Sequence, residues 1–149
     1  MNQKTYLIAD KIITALFYAA FPVLIFALGL KEPLAAVRPL LVCGSGFLLC
    51  TAVRKLINAP RPYEKDSKRK APSPQAKKGL SFPSRHVFSA SAVSAAWFYY
   101  YPLCGVFAFA ATVVLAYLRV VTGYHFKKDV IVGGIAGLIT GIVGFWLIP

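Results

Sequence analysis

Long runs without a charged residue constrain this chain more than any other feature. Residues 12–30 carry no Asp, Glu, Lys or Arg. About 20 apolar residues cross the hydrocarbon core of a bilayer as a helix, so this run predicts a first span. Lys4 and Lys11 ahead of it, with Ala27-Leu28-Gly29 near its end, resemble a cleavable leader. The run is long for a leader's apolar region, which favours a retained helix, one that Pro22 can kink. Residues 39–53 form a second, shorter run, which Arg38 and Arg54 can extend by snorkelling. Residues 87–118 form a third, broken at Tyr101-Pro102 and Cys104-Gly105, which predicts two short spans joined by a tight turn. Residues 130–148 form the last, with Gly133, Gly137 and Gly141 as a ridge that lets another helix come close. The expected fold is all-α: a polytopic membrane helical bundle of about five transmembrane helices, in one membrane-embedded unit over residues 1–149.

Composition agrees with that class. Of 149 residues, 58% are hydrophobic, yet 17 Lys and Arg face only 5 Asp and Glu, a formal charge of +12. Apolar runs joined by basic loops describe a membrane protein. A nucleic-acid partner is excluded, because no soluble unit is left to present a basic face. Cys43, Cys50 and Cys104 are odd in number, form no C-x-x-C and lie in apolar runs. They read as buried thiols and say nothing about compartment.

Chemistry concentrates where the runs end. Between the last two lies L-R-V-V-T-G-Y-H-F-K-K-D, residues 118–129. His125 and Asp129 are four apart; on a helix they share a face, with the carboxylate able to orient the imidazole. Arg119 sits six residues before His125, across a Thr-Gly turn, and can fold back over the same spot. A nucleophilic imidazole beside a guanidinium suits a tetrahedral anion such as phosphate. The plainer reading of this stretch alone is a basic inter-helix loop with a surface histidine. Earlier, R-K-L-I-N-A-P-R-P-Y places Arg54 near a helix end and Arg61 between two prolines. Residues 64–80 are the only long polar loop, rich in lysine, expected without regular structure and attractive to anionic lipid headgroups. S-F-P-S-R-H then leads into the third run. Ser84 is a candidate N-cap, which puts Arg85 and His86 in a first helical turn with its free N–H groups. Five spans place the 54–85 and 119–129 segments, both histidines among them, on one side of the membrane.

Three segments in order, R-x6-R-P from Arg54, P-S-R-H from Pro83 and R-x5-H-x3-D from Arg119, resemble the three signature motifs of the type 2 phosphatidic acid phosphatase superfamily. That group includes lipid phosphate phosphatases and is related to glucose-6-phosphatase and the vanadium haloperoxidases. The motifs cover residues 54–129; together they are specific, and each alone is weak. The chain departs from the pattern at Arg54, Arg85 and Leu118, where the family usually has Lys, Gly and Ser. It also shows one span fewer than the usual six. The resemblance implies that His125 attacks phosphorus to form a phosphohistidine, with Asp129 as its orienting partner. It implies that His86 protonates the leaving alkoxide and then activates water. Arg54, Arg61, Ser84, Arg119 and the backbone N–H of Arg85 would hold the phosphoryl oxygens. No metal or other cofactor is implied; His86, His125 and Asp129 as an iron-binding triad is the alternative, disfavoured by the arginines around it.

Two readings stay open at this level. One is a lipid phosphatase acting on phosphatidic acid, phosphatidylglycerol phosphate or a polyprenyl diphosphate. The other is a non-catalytic anion carrier or anionic-lipid-binding scaffold, which explains the arginines but not a His–Asp pair. The expected setting is a bacterial cell membrane. On the five-span topology only Lys31 and Arg38 of the 17 basic residues fall opposite the motifs. Without the candidate phosphate ligands Arg54, Arg61, Arg85 and Arg119, the bias still points the motif face to the cytoplasm.

Overall fold

The computed structural model describes residues 2–66, 71–73, 76 and 78–147. Lys68, Arg69, Lys70 and Lys77 of the basic loop, and Ile148 at the end of the expected last span, lie outside the described residues. Every regular element among the described residues is helical. Helix α1 is Gln3–Lys31 and continues unbroken past Pro22. A 3₁₀ turn, Pro33–Ala36, leads into α2, Val37–Ile57. A single turn, α3, is Pro62–Lys65. Then follow α4, Arg85–Tyr100, α5, Pro102–Val121, and α6, Lys127–Ile142, which ends in a π-helical turn, Val143–Leu147.

The five long helices are inverted relative to a water-soluble bundle. Leu16, Phe26, Leu30, Leu49, Leu103, Phe107 and Val113 all point outward and are exposed. In α1 the buried residues are Leu24, Leu28 and, against expectation for so apolar a helix, Asp10. An apolar outside is what a lipid solvent selects. Four helical segments are long and apolar enough to cross a membrane; α4 is shorter, at 16 residues, and is the one the others surround. It packs against α1, α2, α5 and α6. Small residues make that possible: Ala90, Ser91, Ala92, Ser94, Ala95 and Ala96 are all buried.

Three sequence expectations need correction. The third apolar run breaks only once. Tyr101 ends α4, Pro102 opens α5, and Cys104 and Gly105 lie inside the first turns of α5. Gly105 is there for packing, since a Cβ would collide with the backbone of Phe98. Second, Arg38 and Arg54 do not snorkel outward. Arg38 donates to the Gly144 and Phe145 carbonyls at 3.1 and 3.2 Å, satisfying the end of the last helix. Arg54 is 7% exposed and turns into the protein. Third, His125 and Asp129 do not share a helix, because α6 begins at Lys127, after the histidine.

The glycine ridge of α6 lies along α4, as its spacing suggested. A Cβ at Gly133 would stand 2.6 Å from the Ser84 carbonyl, and one at Gly137 would strike the Phe88 carbonyl and the Ser91 Cβ. At Gly134, one residue off the ridge, the nearest atom is an ordinary 3.6 Å away. Replacing Gly137 with Ala should therefore force α4 and α6 apart and cost about 1–3 kcal/mol of stability. Gly134→Ala should be nearly neutral. Thermal unfolding of both variants in detergent checks the contrast; equal Tm values would remove the ridge as the determinant of that packing.

Candidate active site

The two ends of the bundle differ in kind. At one end Tyr100 donates to the Ala35 carbonyl, Arg38 meets the end of α6, and aromatic rings cluster around Phe145. At the other, the polar segments read from the sequence converge: the end of α2, the start of α4, the end of α5 and the start of α6.

The loop between α3 and α4 is fastened at its base. Asn58, in a left-handed conformation at φ 42°, ends α2 and accepts from Leu80 N through its side-chain oxygen at 3.3 Å. Glu64 Oε2 accepts from the backbone of Arg61 at 2.8 Å and of Gly79 at 2.7 Å. Arg61 Nε donates to the Gly79 carbonyl at 3.0 Å, and Ser81 N to the Ala59 carbonyl at 2.8 Å. Both terminal nitrogens of Arg54 donate to this strand of backbone, to Pro83 O and Leu80 O. Arg54 thus fixes the approach to α4 in addition to bringing charge.

Asp129 is the junction of the other segments. It is fully buried. Its Oδ2 accepts from Ser81 Oγ at 2.5 Å and from Phe126 N at 3.0 Å, and stands 3.5 Å from His125 Nδ1. Its main-chain carbonyl accepts from Ser84 N at 2.8 Å. Asp129 is the third residue of α6, so its bond to Phe126 N also caps that helix. The carboxylate reaches back past the helix start to His125, and this is how the pair meets without sharing a helix. Burial holds the His125 imidazole below the ordinary histidine range, with Asp129 pulling the other way. The nearby Arg61 and Arg119 add to the downward push. A neutral ring, free to act through the nitrogen opposite Asp129, is the consequence near pH 7.

The remaining candidates stand around this pair. His86, in the first turn of α4, lies within Coulombic reach of Arg119, His125, Arg85 and Arg54. Ser84 occupies the N-cap position of α4, as expected, but its hydroxyl makes no capping bond; it is buried without a partner. A hydroxyl left unmatched in a buried site is unusual and leaves a donor for a ligand. Leu118, where a hydroxyl was expected from the resemblance, is buried and presents its carbonyl to Thr122. Among the described residues, no three His, Cys, Asp or Glu side chains come together as a metal site.

Three residues escaped the sequence reading. Asp10, 3% exposed, pairs with Arg119 Nε at 2.9 Å, and Thr14 Oγ1, one helical turn later, accepts from Arg119 Nη2 at 2.7 Å. Ser81, beside P-S-R-H, holds Asp129. The sequence reading passed over Asp10 because it stands in the short, mixed-charge stretch before the first uncharged run.

Comparison with known proteins agrees with the geometry. The family model described as PAP2 superfamily matches residues 35–149. Among solved structures, LpxE of Aquifex aeolicus superposes with a TM-score of 0.74 at 26% identity, over 91% of this chain and 84% of that one. The first transmembrane PAP2 type phosphatidylglycerolphosphate phosphatase from Bacillus subtilis superposes at 0.70 with 20% identity, over 91% and 74%. No curated protein sequence matches.

Asp10 sets up a test of the site's construction. Asp10→Ala leaves Arg119 buried without its counter-ion and should cost about 3 kcal/mol. The double variant Asp10→Ala/Arg119→Leu should lose clearly less than the two single losses added together. Unfolding measured for all four proteins gives the coupling; strict additivity would mean that the pair contributes nothing to folding.

Proposed function

The chain belongs to the PAP2 superfamily, and from that premise we propose that it is an integral membrane lipid phosphatase working through a phosphohistidine. The observation that carries this reading is the buried His125–Asp129 pair, 3.5 Å apart, inside a ring of arginines. A site for holding anions needs the guanidinium groups but has no use for an oriented neutral imidazole. In the proposed first step His125 Nε2 attacks the terminal phosphorus and the bond to the lipid oxygen breaks. His86, which takes up a proton once the negative charge of the bound phosphate offsets the surrounding arginines, gives it to that oxygen. In the second step His86, now neutral, takes a proton from water, whose oxygen displaces His125 from phosphorus. The products are the dephosphorylated lipid and inorganic phosphate. Asp129 holds the His125 tautomer and stabilises the charge that grows on the ring.

Arg61, Arg119, Ser84 and the backbone N–H of Arg85 are assigned to the phosphoryl oxygens, with Arg54 both shaping the loop and adding charge. Phosphoryl transfer is chiefly a matter of positioning and neutralisation, so such a donor set can supply most of the catalysis without a metal. Phosphatidic acid, phosphatidylglycerol phosphate and a polyprenyl diphosphate share the terminal phosphate this site would take. The basic loop would rest against anionic headgroups.

The deciding measurement is phosphate release from these lipids by the purified protein in detergent. Wild-type activity should survive EDTA; His125→Ala should lose at least a thousandfold, and Lys78→Ala, in the loop, should change little. His86→Ala should slow a lipid phosphate far more than an aryl phosphate, whose leaving group needs little protonation. Full activity in His125→Ala, or its loss in EDTA, overturns the scheme.

We further propose that the site faces the cytoplasm of a bacterial cell, on the charge bias of the loops. A Ser73→Cys variant, with the native cysteines replaced, should resist a membrane-impermeant maleimide on intact cells and react after lysis. Labelling from outside would invert the topology.

A further inference from the structure

Arg85 is the residue of the candidate site with the least to do. Its backbone N–H opens α4, but among the described residues no carbonyl or carboxylate accepts from its guanidinium, which lies over the Phe47 ring at 5.0 Å. The guanidinium faces a cavity of about 350 Å³ between α1, α2, α4 and α5. The walls are apolar, with Phe17, Phe21, Phe47, Val93 and Leu115. Polar groups line it as well. His86 is among them, and so is Ser89, whose hydroxyl is buried with no partner. Arg85 and Ser89 are four apart on one helix and share a face, with His86 beside them.

On the proposed mechanism, His86 stands on the leaving-group side of phosphorus, so the cavity it lines receives the leaving group. A neutral glycerol or prenol oxygen with its chain needs apolar walls and one proton donor. It gives no use to a guanidinium and an unmatched hydroxyl, and burying that hydroxyl beside it carries a desolvation cost. A leaving group that bears its own phosphate uses both. We propose that Arg85 and Ser89 form a second phosphate subsite, and that this protein prefers lipids whose leaving group is itself anionic. In the reaction so defined, His125 takes the terminal phosphoryl group and the bond to the bridging oxygen breaks. The lipid keeps its inner phosphate in the grip of Arg85 while its chain lies along the aromatic wall. Water then releases inorganic phosphate from His125. This separates polyprenyl diphosphates and phosphatidylglycerol phosphate from phosphatidic acid. It also gives a purpose to arginine at a position where a smaller residue would serve a neutral leaving group. The inference rests on the phosphatase reading of the same site.

Chain-matched pairs test it on the purified protein. Farnesyl diphosphate is compared with farnesyl phosphate, and dioleoyl phosphatidylglycerol phosphate with dioleoyl phosphatidic acid. In at least one pair the wild type should favour the doubly phosphorylated lipid in kcat/KM by tenfold or more. Arg85→Gln should collapse that ratio at least tenfold, Arg85→Lys should keep most of it, and Ser89→Ala should lower it severalfold. The pair that responds tells whether the inner phosphate sits next to the scissile bond or a glycerol away. A wild type that turns over both members of each pair equally, or an Arg85→Gln variant that lowers both members by the same factor, overturns the subsite and leaves the phosphatase reading standing. A wild type that releases phosphate from none of the four lipids removes the phosphatase reading itself, and the subsite with it.

Discussion

The carboxylate of Asp129 is the point on which the polar end of the molecule depends. One oxygen serves the Ser81 hydroxyl, the Phe126 amide and the His125 ring, and the same residue's carbonyl receives the Ser84 amide. These partners come from the entry to α4 and the turn before α6, and Asp129 itself belongs to α6. An ionised group inside an apolar bundle is costly unless it is hydrogen-bonded; Oδ2 carries those bonds while Oδ1 is buried without a partner, and the contacts that stabilise Asp129 also hold the segments in register. The glycine ridge makes this possible. Gly133 lets the α6 backbone come close to Ser84, and a side chain there would push the carboxylate's helix away from the loop it binds.

Charge explains the rest of that end. Guanidinium groups cluster where the helices are otherwise apolar, and each is oriented by something other than bulk water. Arg54 is held by two carbonyls, Arg61 by a third, and Arg119 by Asp10 and Thr14. Of only five acidic residues in the chain, Asp10, Glu64 and Asp129 each hold part of this construction. The large excess of basic residues is therefore not spread evenly over a solvated surface. It includes a fixed cationic site.

Much of this was legible in the sequence, for definite reasons. Uncharged runs reveal membrane helices because a charge at mid-bilayer is expensive, and the motif spacing survives because each motif is local to a helix end. The Cys104-Gly105 pair misled because glycine marks both turns and close helix contacts; only the position of Phe98 distinguishes them. The His125–Asp129 spacing pointed to two side chains that do meet, but by the wrong route. A carboxylate at the third position of a helix can turn back to the residues before it, and i,i+4 spacing alone does not show where the helix starts. Arg54 read as an anchor because its partners, the Leu80 and Pro83 carbonyls, lie 26 and 29 residues away, beyond a loop with no pattern of its own.

Asp10 shows most clearly what local reading cannot reach. Helix α1 lies outside residues 35–149, where the family pattern resides, yet it supplies both partners that orient Arg119. Asp10 meets Nε as an ion pair and Thr14 accepts a hydrogen bond from Nη2, and among the described residues no protein group accepts from Nη1. A guanidinium held along one edge keeps its remaining donors aimed, which is what recognition of a phosphoryl oxygen requires. The motif supplies the arginine, and a helix remote in sequence supplies its direction. The site's geometry is thus a property of the assembled bundle, with the helix before the motifs as much a part of it as the motifs themselves.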